Sequence, residues 1–398
     1  MFADLMHLPV NWVDGMKVSR VHFEDNSRYL EERLGDVMYL HAGADQFGIL
    51  PAAGSLDLSI VIQSGGWIYA NLYSCKAIAP NGSRIQVLPD DGVKTSIAFD
   101  ELTRNYQLQV SVPQQLLVVI TTDVIRRVPW GAPPAGENPP RHPFTKASVS
   151  LDIIPAGALN TSQLFNGLVV GKLWYRNGEI QQDTSFIPSC TAVNSLHSLS
   201  GWHVQYQQLL QEWESCCIAI IRRTETKTNT SPNNAGQSNS LAASIQKFCS
   251  SILLRLVNGK FFFRHTLPAS SPVRMVAPLM DNIFLVHALL QCYPEKEREE
   301  MLGYFAEWTD TQAGAFEKLT QGAHAIDYDH HDVHKCLSAI LDIYQHYVLV
   351  FRKLAQLDII GKRKGQQIFV IEQEMKETRP AASGPQTGKS GTRWSPLT

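Results

Sequence analysis

The sequence lacks most of the short patterns that mark catalytic or metal-binding chemistry. Its seven cysteines are scattered with no C-x-x-C pair, so it encodes neither a disulfide framework nor a thiolate zinc site. It also lacks the patterns G-x-x-x-x-G-K-[ST], G-x-G-x-x-G and G-x-S-x-G, so neither a phosphate-binding loop nor a nucleophile elbow is encoded. These absences leave the common nucleotide-dependent and nucleophilic enzymes without support.

Charge of one sign and long apolar runs are also missing. The chain carries 35 basic and 37 acidic residues, which gives no field that would attract nucleic acid or an anionic membrane. No eighteen apolar residues occur in a row, and the N-terminus has neither the basic start nor the apolar core of a signal peptide. We therefore expect a cytoplasmic protein without a nucleic-acid partner and without direct membrane insertion.

Apolar residues alternate with polar ones along the first half of the chain. This period of two is typical of half-buried strands, and turn signals at 80–82, 90–92 and 176–178 separate the runs. The Pro-rich residues 129–143 are expected to form a surface loop outside any ladder. The fold class predicted for residues 1–187 is a β-sandwich-like domain. The alternating residues are Leu56, Leu58, Ile60 and Ile62, then Leu108, Val110 and Val112, then Val149, Leu151 and Ile153.

The hydrophobic period changes to that of helices after residue 187. Residues 188–358 are predicted to form a helical bundle, which makes the whole chain α+β, with helices over about 196–220, 241–258, 272–292, 295–320 and 329–358. The last helix has the most regular pattern, a 3.5-residue repeat that keeps one seam against neighbouring helices. The seam residues are Val333, Leu337, Ile340, Tyr344, Tyr347, Phe351 and Leu354.

Two further segments have little apolar content. The polar residues 223–239 are predicted to be a mobile loop between helices, and residues 376–398 a disordered tail. Residues 359–375 between the bundle and the tail are expected to be a short C-terminal extension with a strand-like stretch.

The stretch IDYDHHDVHKCL, residues 326–337, holds three aspartates and three histidines. One hypothesis is a metal-dependent phosphoesterase that uses Asp329, His330 and His331, because a D-H-H triplet is found in one such family. The alternative is a helix start, in which Asp327 or Asp329 caps the helix, Asp332 lies in its first turn and His330 is a hydrogen-bonded interior residue. The second hypothesis explains more of the residues, so we expect no metal site, no cofactor and no catalytic residue.

The N-terminal residues 8–34 place aromatic and Met side chains around a glycine. They can be a first strand and helix that fold back on the sheet. Alternatively, they are an apolar arm that inserts into a partner, since aromatic and Met residues are enriched at buried interface centres.

Five motifs in this order resemble the TssK family, the baseplate subunits of bacterial type VI secretion systems. The family opens with Trp, Gly-Met and His-Phe, then has a Tyr/Phe-Gly-Ile/Val element and a Pro-Asp/Asn-Gly turn. An Ile-Pro-Pro-Cys entry into the first bundle helix follows, in which this chain has Ser189 at the second proline, and then a Tyr-Arg/Asp-His helix start. The matching residues are Trp12, Gly15, Met16, His22 and Phe23, then Phe47, Gly48 and Ile49, then Pro80, Asn81 and Gly82, then Ile187, Pro188, Ser189 and Cys190, and finally Tyr328, Asp329, His330, His331, Asp332 and Val333.

The resemblance implies a structural protein that is not an enzyme. It implies a β shoulder like that of phage receptor-binding proteins, a helical neck and a homotrimer, which the seam of the last helix would help to form. It further implies that Trp12, Gly15, Met16, His22 and Phe23 bind the TssF–TssG wedge, and that the assembly lies at the cytoplasmic face of the inner membrane. The family carries a further head domain that contacts the membrane complex, which is expected here to be absent or reduced. A phage-type receptor-binding subunit is the remaining alternative.

Overall fold

The computed structural model describes residues 6–42, 45–228, 238–312 and 314–364. In this part of the chain the fold is mixed α+β with two antiparallel sheets. The strands are β1 Gly48–Ile49, β2 Leu56–Gln63, β3 Trp67–Ile78, β4 Arg84–Val87, β5 Val93–Ala98, β6 Gln114–Trp130, β7 Phe144–Pro155, β8 Gly167–Arg176 and β9 Glu179–Gln182. The α-helices are α1 Arg20–Ala42, α2 Phe99–Tyr106, α3 Thr161–Asn166, α4 His197–Thr228, α5 Ser238–Phe261, α6 Val273–Gln291, α7 Glu295–Thr309, α8 Ala315–Gly322 and α9 Val333–Gln356.

The first sheet is built around the long strand β3. One edge of β3 pairs with β2, in a register that sets Leu58 opposite Leu72, and then with β1, while its other edge pairs with β5 and then with β4. Alternate residues of β3, such as Ile68 and Ala70, are buried. The period-two prediction for residues 56–62 is confirmed by the strand β2.

The second sheet has the strand order β7-β6-β8-β9. Its central strands are buried on both faces, and a Cβ atom at Gly171 in β8 would lie 2.9 Å from Cδ1 of Ile60 in β2. The two sheets therefore touch through their faces at this point, and glycine allows the close approach. The strand β7 confirms the alternation predicted for residues 149–153.

Two predictions for this region were wrong. Residues 108–112 form no strand, because α2 ends at Tyr106, the next residue Gln107 is left-handed with a φ of 50°, and the chain then turns before β6. The ladder also extends further than predicted, since Pro129 and Trp130 pair with Thr145 and Phe144. Proline is tolerated there because β6 pairs with β8 only as far as Thr121, which leaves the other edge of β6 open.

The helices pack around α9, which contacts α4, α6, α7 and α8. One cluster of buried apolar side chains extends without interruption from Ile49 and Ile68 in the first sheet to Leu354 in α9. The sheets and the helices therefore share a continuous core.

The predicted helix boundaries need corrections. The helix expected over 295–320 is two helices, α7 and α8, because Asp310 has a φ of 52° and Gly314 a φ of 81°. The last helix begins at Val333, four residues later than predicted, and α5 continues beyond 258 into a π-helical turn, Phe262–Thr266. The predicted loop 223–239 is helical up to Thr228, and its residues 229–237 lie outside the described part. So do the predicted strand-like stretch after residue 364 and the predicted tail, 376–398.

Among the described residues, two helical stretches are long and apolar enough to cross a membrane by length and composition. They are Ser240–Ala269, which is 33% buried over its most apolar window, and Val273–Gln291, which is 44% buried. Helices in the cores of soluble proteins meet the same criteria. Both stretches contribute side chains to the continuous core, among them Phe248 and Ile283.

Candidate partner interface

Residues 6–19 run in an irregular arm that leads into α1. The arm turns sharply at Gly15, whose φ of 78° is in the left-handed region, and the Met16 N–H donates to the Val13 carbonyl at 3.2 Å. The turn reverses the chain direction just before the helix begins at Arg20. Gly15 and Met16 therefore shape the arm.

This reversal brings together three of the predicted partner-binding residues. The Trp12 ring lies 6.0 Å from that of His22 and 6.1 Å from that of Phe23, measured between ring centroids. Trp12 is 49% exposed and Phe23 is 60% exposed. The sequence analysis predicted these residues as one contact site, and the structure places them in one exposed aromatic cluster.

Hydrogen bonds to one carboxylate fasten the beginning of the arm to α1. Glu32 accepts the backbone N–H groups of Met6 and His7 at 3.0 and 3.1 Å, and the His7 Nδ1 atom lies 2.5 Å from it. Partial burial raises the pKa of Glu32, but the hydrogen bonds and the charge of His7 outweigh it, so the net pKa lies below its usual value. The arm is thus held in a defined position against the helix.

The helix α1 rests on the rest of the molecule along one side only. Its residue Glu31 forms an ion pair with Arg127 of β6, and Met38 lies against Gly82 in the Pro-Asn-Gly turn. Gly82 has a φ of 83°, and its N–H donates to the Ala79 carbonyl at 2.8 Å. The turn that matched a family motif is therefore the support on which α1 rests.

A row of apolar side chains on α1 faces solvent. None of the described α1 side chains is buried, and four exposed ones, spaced by seven, four and three residues, share one face of the helix. This row was not predicted from the sequence, although its heptad-like spacing is visible there. We call it the α1 stripe: Phe23, Leu30, Leu34 and Val37.

The second predicted site, the D-H-H cluster, lies at the junction between the sheets and α9. His330 is 6% exposed, and its Nε2 atom lies 2.8 Å from the Phe47 carbonyl oxygen. Because a carbonyl only accepts, Nε2 carries the proton, and Nδ1 accepts from the Tyr328 hydroxyl at 2.6 Å. Both ring nitrogens are satisfied in the neutral form, and desolvation lowers the pKa of His330 despite the hydrogen bond to Phe47.

Asp332 and Asp329 have different partners. Asp332 forms a buried ion pair with Lys172 of β8 at 2.7 Å, and Asp183 lies 3.7 Å from the same ammonium group. Asp329 accepts the His331 N–H at 2.9 Å. Asp332 occupies the position before the first residue of α9, but its carboxylate bonds to the sheet and makes no capping hydrogen bond. In the described ranges no group of three or more His, Cys, Asp or Glu residues is placed to hold a metal ion.

Two other matched motifs meet next to this junction. Ile49 forms a parallel bridge with Cys190, and the Ile49 N–H donates to the Ser189 carbonyl at 2.8 Å. A Cβ atom on Gly48, whose φ is 117°, would lie 2.2 Å from the Ser189 carbonyl carbon. Only glycine fits here, because the two backbones touch.

The seven seam residues of α9 are buried against other helices of the same chain. Tyr344 bonds to Asn282 of α6 at 3.0 Å and to the Leu279 carbonyl at 3.0 Å, and the Tyr347 hydroxyl lies 2.9 Å from that of Thr320 in α8. The Trp213 ring of α4 packs against three of the aromatic seam residues. The seam thus holds together helices of one chain, and a contribution to a trimer remains a prediction. All seven are buried: Val333, Leu337, Ile340, Tyr344, Tyr347, Phe351 and Leu354.

Comparison with known proteins gives structural neighbours only. No family model and no curated protein matches the chain. Solved structures from type VI secretion systems are similar to it over most of its length. The protein in them is TssK: a crystal structure has a TM-score of 0.49 at 17% identity and covers 85% of this chain and 68% of that one. TssK from EAEC bound to a nanobody has a TM-score of 0.41 at 13% identity, with 82% and 98% covered. TssK in a TssK-TssF-TssG baseplate subcomplex has a TM-score of 0.42 at 12% identity, with 86% and 99% covered.

Proposed function

We propose that the chain is a structural subunit of a type VI secretion baseplate, and that it uses the arm and α1 to bind the TssF–TssG wedge. The observation that carries this proposal is the cluster of exposed apolar side chains on residues 6–42. The five motifs that resemble the TssK family supply the identity of the partner. The proposed division is a β-sandwich shoulder, residues 1–187, and a helical bundle neck, residues 188–358, with the remainder as a short extension.

The N-terminal segment concentrates apolar surface. Twelve of the large apolar side chains that are exposed lie on residues 6–42, which are about a tenth of the chain. Contiguous apolar patches of this kind mark protein contact sites, and aromatic residues such as Trp12 and Phe23 contribute most of the energy in them. Because Glu32 and the ion pair between Glu31 and Arg127 hold the segment in place, binding would order few additional groups.

The remaining parts of the proposal concern the assembly. We place it in the cytoplasm, as a homotrimer that links the wedge to a component of the membrane complex, and we assign it no catalytic activity. The hydrogen bonds of His330 support the absence of a catalytic role for this residue, since both ring nitrogens bond to protein groups. Native mass spectrometry of the full chain should give three copies. A mass of one copy at all concentrations would reject the trimer.

Pull-down of the full chain with TssF and TssG from the same source tests the wedge contact. The variant Trp12→Ala with Phe23→Ala should reduce the retained wedge at least tenfold, because it removes two exposed aromatic anchors, each worth roughly 1–2 kcal/mol at an interface centre. The matched control is Leu254→Ala with Phe261→Ala on α5, which removes side chains that are 66% and 74% exposed. If wild type and both variants retain equal amounts of TssF and TssG, the assignment of the wedge site is wrong.

A further inference from the structure

A cavity of about 180 Å³ lies among α4, α5 and α6, on helices that carry none of the residues proposed to bind the wedge. Leu210 on α4, Leu256 on α5, Pro278 and Leu279 on α6, and Phe263 just after α5 form an apolar wall. Polar and charged side chains form the rest of the lining. A dry apolar cavity of roughly 150 Å³ is large enough to hold a benzene ring. The cavity therefore has room for a ligand with a single aromatic ring.

Three irregularities in the surrounding helices border this cavity. Pro278 lies inside α6, and the π-helical turn Phe262–Thr266 follows α5 at the cavity mouth. Gly259 lies inside α5, with no atom within 4 Å of where its Cβ would be. Prolines and π-turns interrupt regular helices, and π-turns are frequent at functional sites. Since neither a close approach nor a positive φ requires glycine at 259, its effect is to leave the cavity open.

The polar groups at the cavity favour a negatively charged ligand. Lys260 is paired with Glu214 at 2.7 Å, and Arg255 with Asp281 at 3.0 Å, whereas Arg264 has no ion-pair partner among the described residues. Deeper in the cavity, Asn282 is 7% exposed, and its amide N–H donates to the Tyr344 hydroxyl at 3.0 Å. An unpaired guanidinium beside an apolar cavity wall is suited to a carboxylate on a small apolar body.

We propose that this cavity binds a small amphipathic monoanion, with an aromatic or similarly sized apolar body against Leu210, Leu256 and Phe263 and its carboxylate at Arg264. The ring would occupy the space between α4, α5 and α6, and the Asn282 amide would lie beside it. Selectivity for the anion would come from Arg264, because Arg255 and Lys260 already have acidic partners.

Isothermal titration calorimetry of the full chain with 3-phenylpropionate tests the proposal. The anion should bind at least tenfold more tightly than 3-phenylpropan-1-ol or 3-phenylpropylamine, which have the same ring but no negative charge. Arg264→Gln should weaken binding of the anion at least tenfold. Lys247→Gln, which removes a positive charge from α5 away from the cavity, should leave it unchanged.

A second pair of variants tests the cavity itself. Gly259→Leu should abolish binding by placing a side chain in the cavity, while Gly201→Leu on α4, a helical glycine with equally free space around its Cβ position, should not. Light scattering on each variant shows whether a second copy fills the cavity instead. The proposal is overturned by equal affinity for the three probes, by no binding of the anion, by retained binding in Gly259→Leu, or by a change of oligomeric mass in that variant.

Discussion

The arm with α1 and the helix α9 contain similar kinds of residue but use them in opposite ways. Both have apolar side chains at helical spacing, including aromatics. In α9 these side chains are buried among four other helices, whereas each side chain of the α1 stripe is at least 50% exposed. Hydrophobic periodicity alone therefore predicts that a helix face will be covered, but it does not say whether the same chain covers it.

The polar contacts of the two regions also differ in burial. Around α9 several polar groups are buried and paired, as in the Lys172–Asp332 ion pair and the Asn282–Tyr344 hydrogen bond. Around α1 most ion pairs are exposed, such as Arg20 with Glu24, and contribute little to stability. Substitutions at α9 should therefore change folding, and substitutions at α1 should change association.

The largest effect is expected from Ile340→Asp in the α9 seam. Ile340 is fully buried, so the carboxylate would lose its water without gaining a partner, at a cost of roughly 5 kcal/mol or more in the free energy of unfolding. Urea denaturation measures this loss. Leu349→Asp, at an exposed position of the same helix, is the control and should cost less than about 1 kcal/mol. If the two variants are equally stable, α9 is not part of the core.

The next largest effect concerns the Lys172–Asp332 pair. Asp332→Leu should lower the free energy of unfolding by about 3–5 kcal/mol, because it leaves the buried ammonium with Asp183 alone, 3.7 Å away. Adding Lys172→Met should restore part of that loss, since an apolar pair of similar size needs no counter-charge. A double-mutant cycle from denaturation midpoints gives the coupling energy, and purely additive effects would show that the ion pair is not formed.

A smaller effect should appear as a pH dependence of stability. Desolvation lowers the pKa of His330, His331 and His346 in the folded chain from the usual 6.5, so the unfolded chain binds protons first as pH falls. Stability is therefore fully present above about pH 6.5 and is lost below it, by up to about 1.4 kcal/mol per pH unit for each histidine. Denaturation of His330→Gln at pH 7.5 and 5.5 should show a shallower loss than wild type. An unchanged difference would place the proton uptake elsewhere.

The smallest effect on stability is expected from Trp12→Ala with Phe23→Ala. Both side chains are largely exposed, so their removal should change the free energy of unfolding by less than about 1 kcal/mol. Thermal melting of the full chain measures the change. A drop as large as that of Asp332→Leu would mean that the arm belongs to the core.

Local patterns in the sequence predicted the local elements well. The alternation at 56–62 and 149–153 marked β2 and β7, and the seam marked α9. The strand predicted at 108–112 was wrong because alternation also arises by chance in a turn. Pro129 was wrongly excluded from a strand because the open edge of β6 cannot be predicted from composition. Contacts between distant segments, such as Lys172 with Asp332 or His330 with Phe47, left only indirect signs, among them a single lysine within the apolar run of β8.

Composition predicted part of the candidate site, whereas the rest depends on tertiary contacts. Aromatic residues around Gly15 indicated a contact site, and Trp12, His22 and Phe23 do lie together. The α1 stripe is readable from its spacing, but spacing alone does not say that the chain leaves this helix face uncovered. The anchoring of the arm through Glu32 depends on how the chain folds back, which no local pattern specifies.

The Lys172–Asp332 pair also has a consequence for biosynthesis, because its two members are separated by 160 positions. At a ribosomal rate of about 5–20 residues per second, β8 emerges roughly ten seconds or more before its counter-ion. During that interval the nearby carboxylate of Asp183, only 11 positions downstream of the lysine, can neutralise the charge. Asp183 can thus balance the charge of Lys172 in the nascent sheet until Asp332 has been synthesised and forms the closer ion pair.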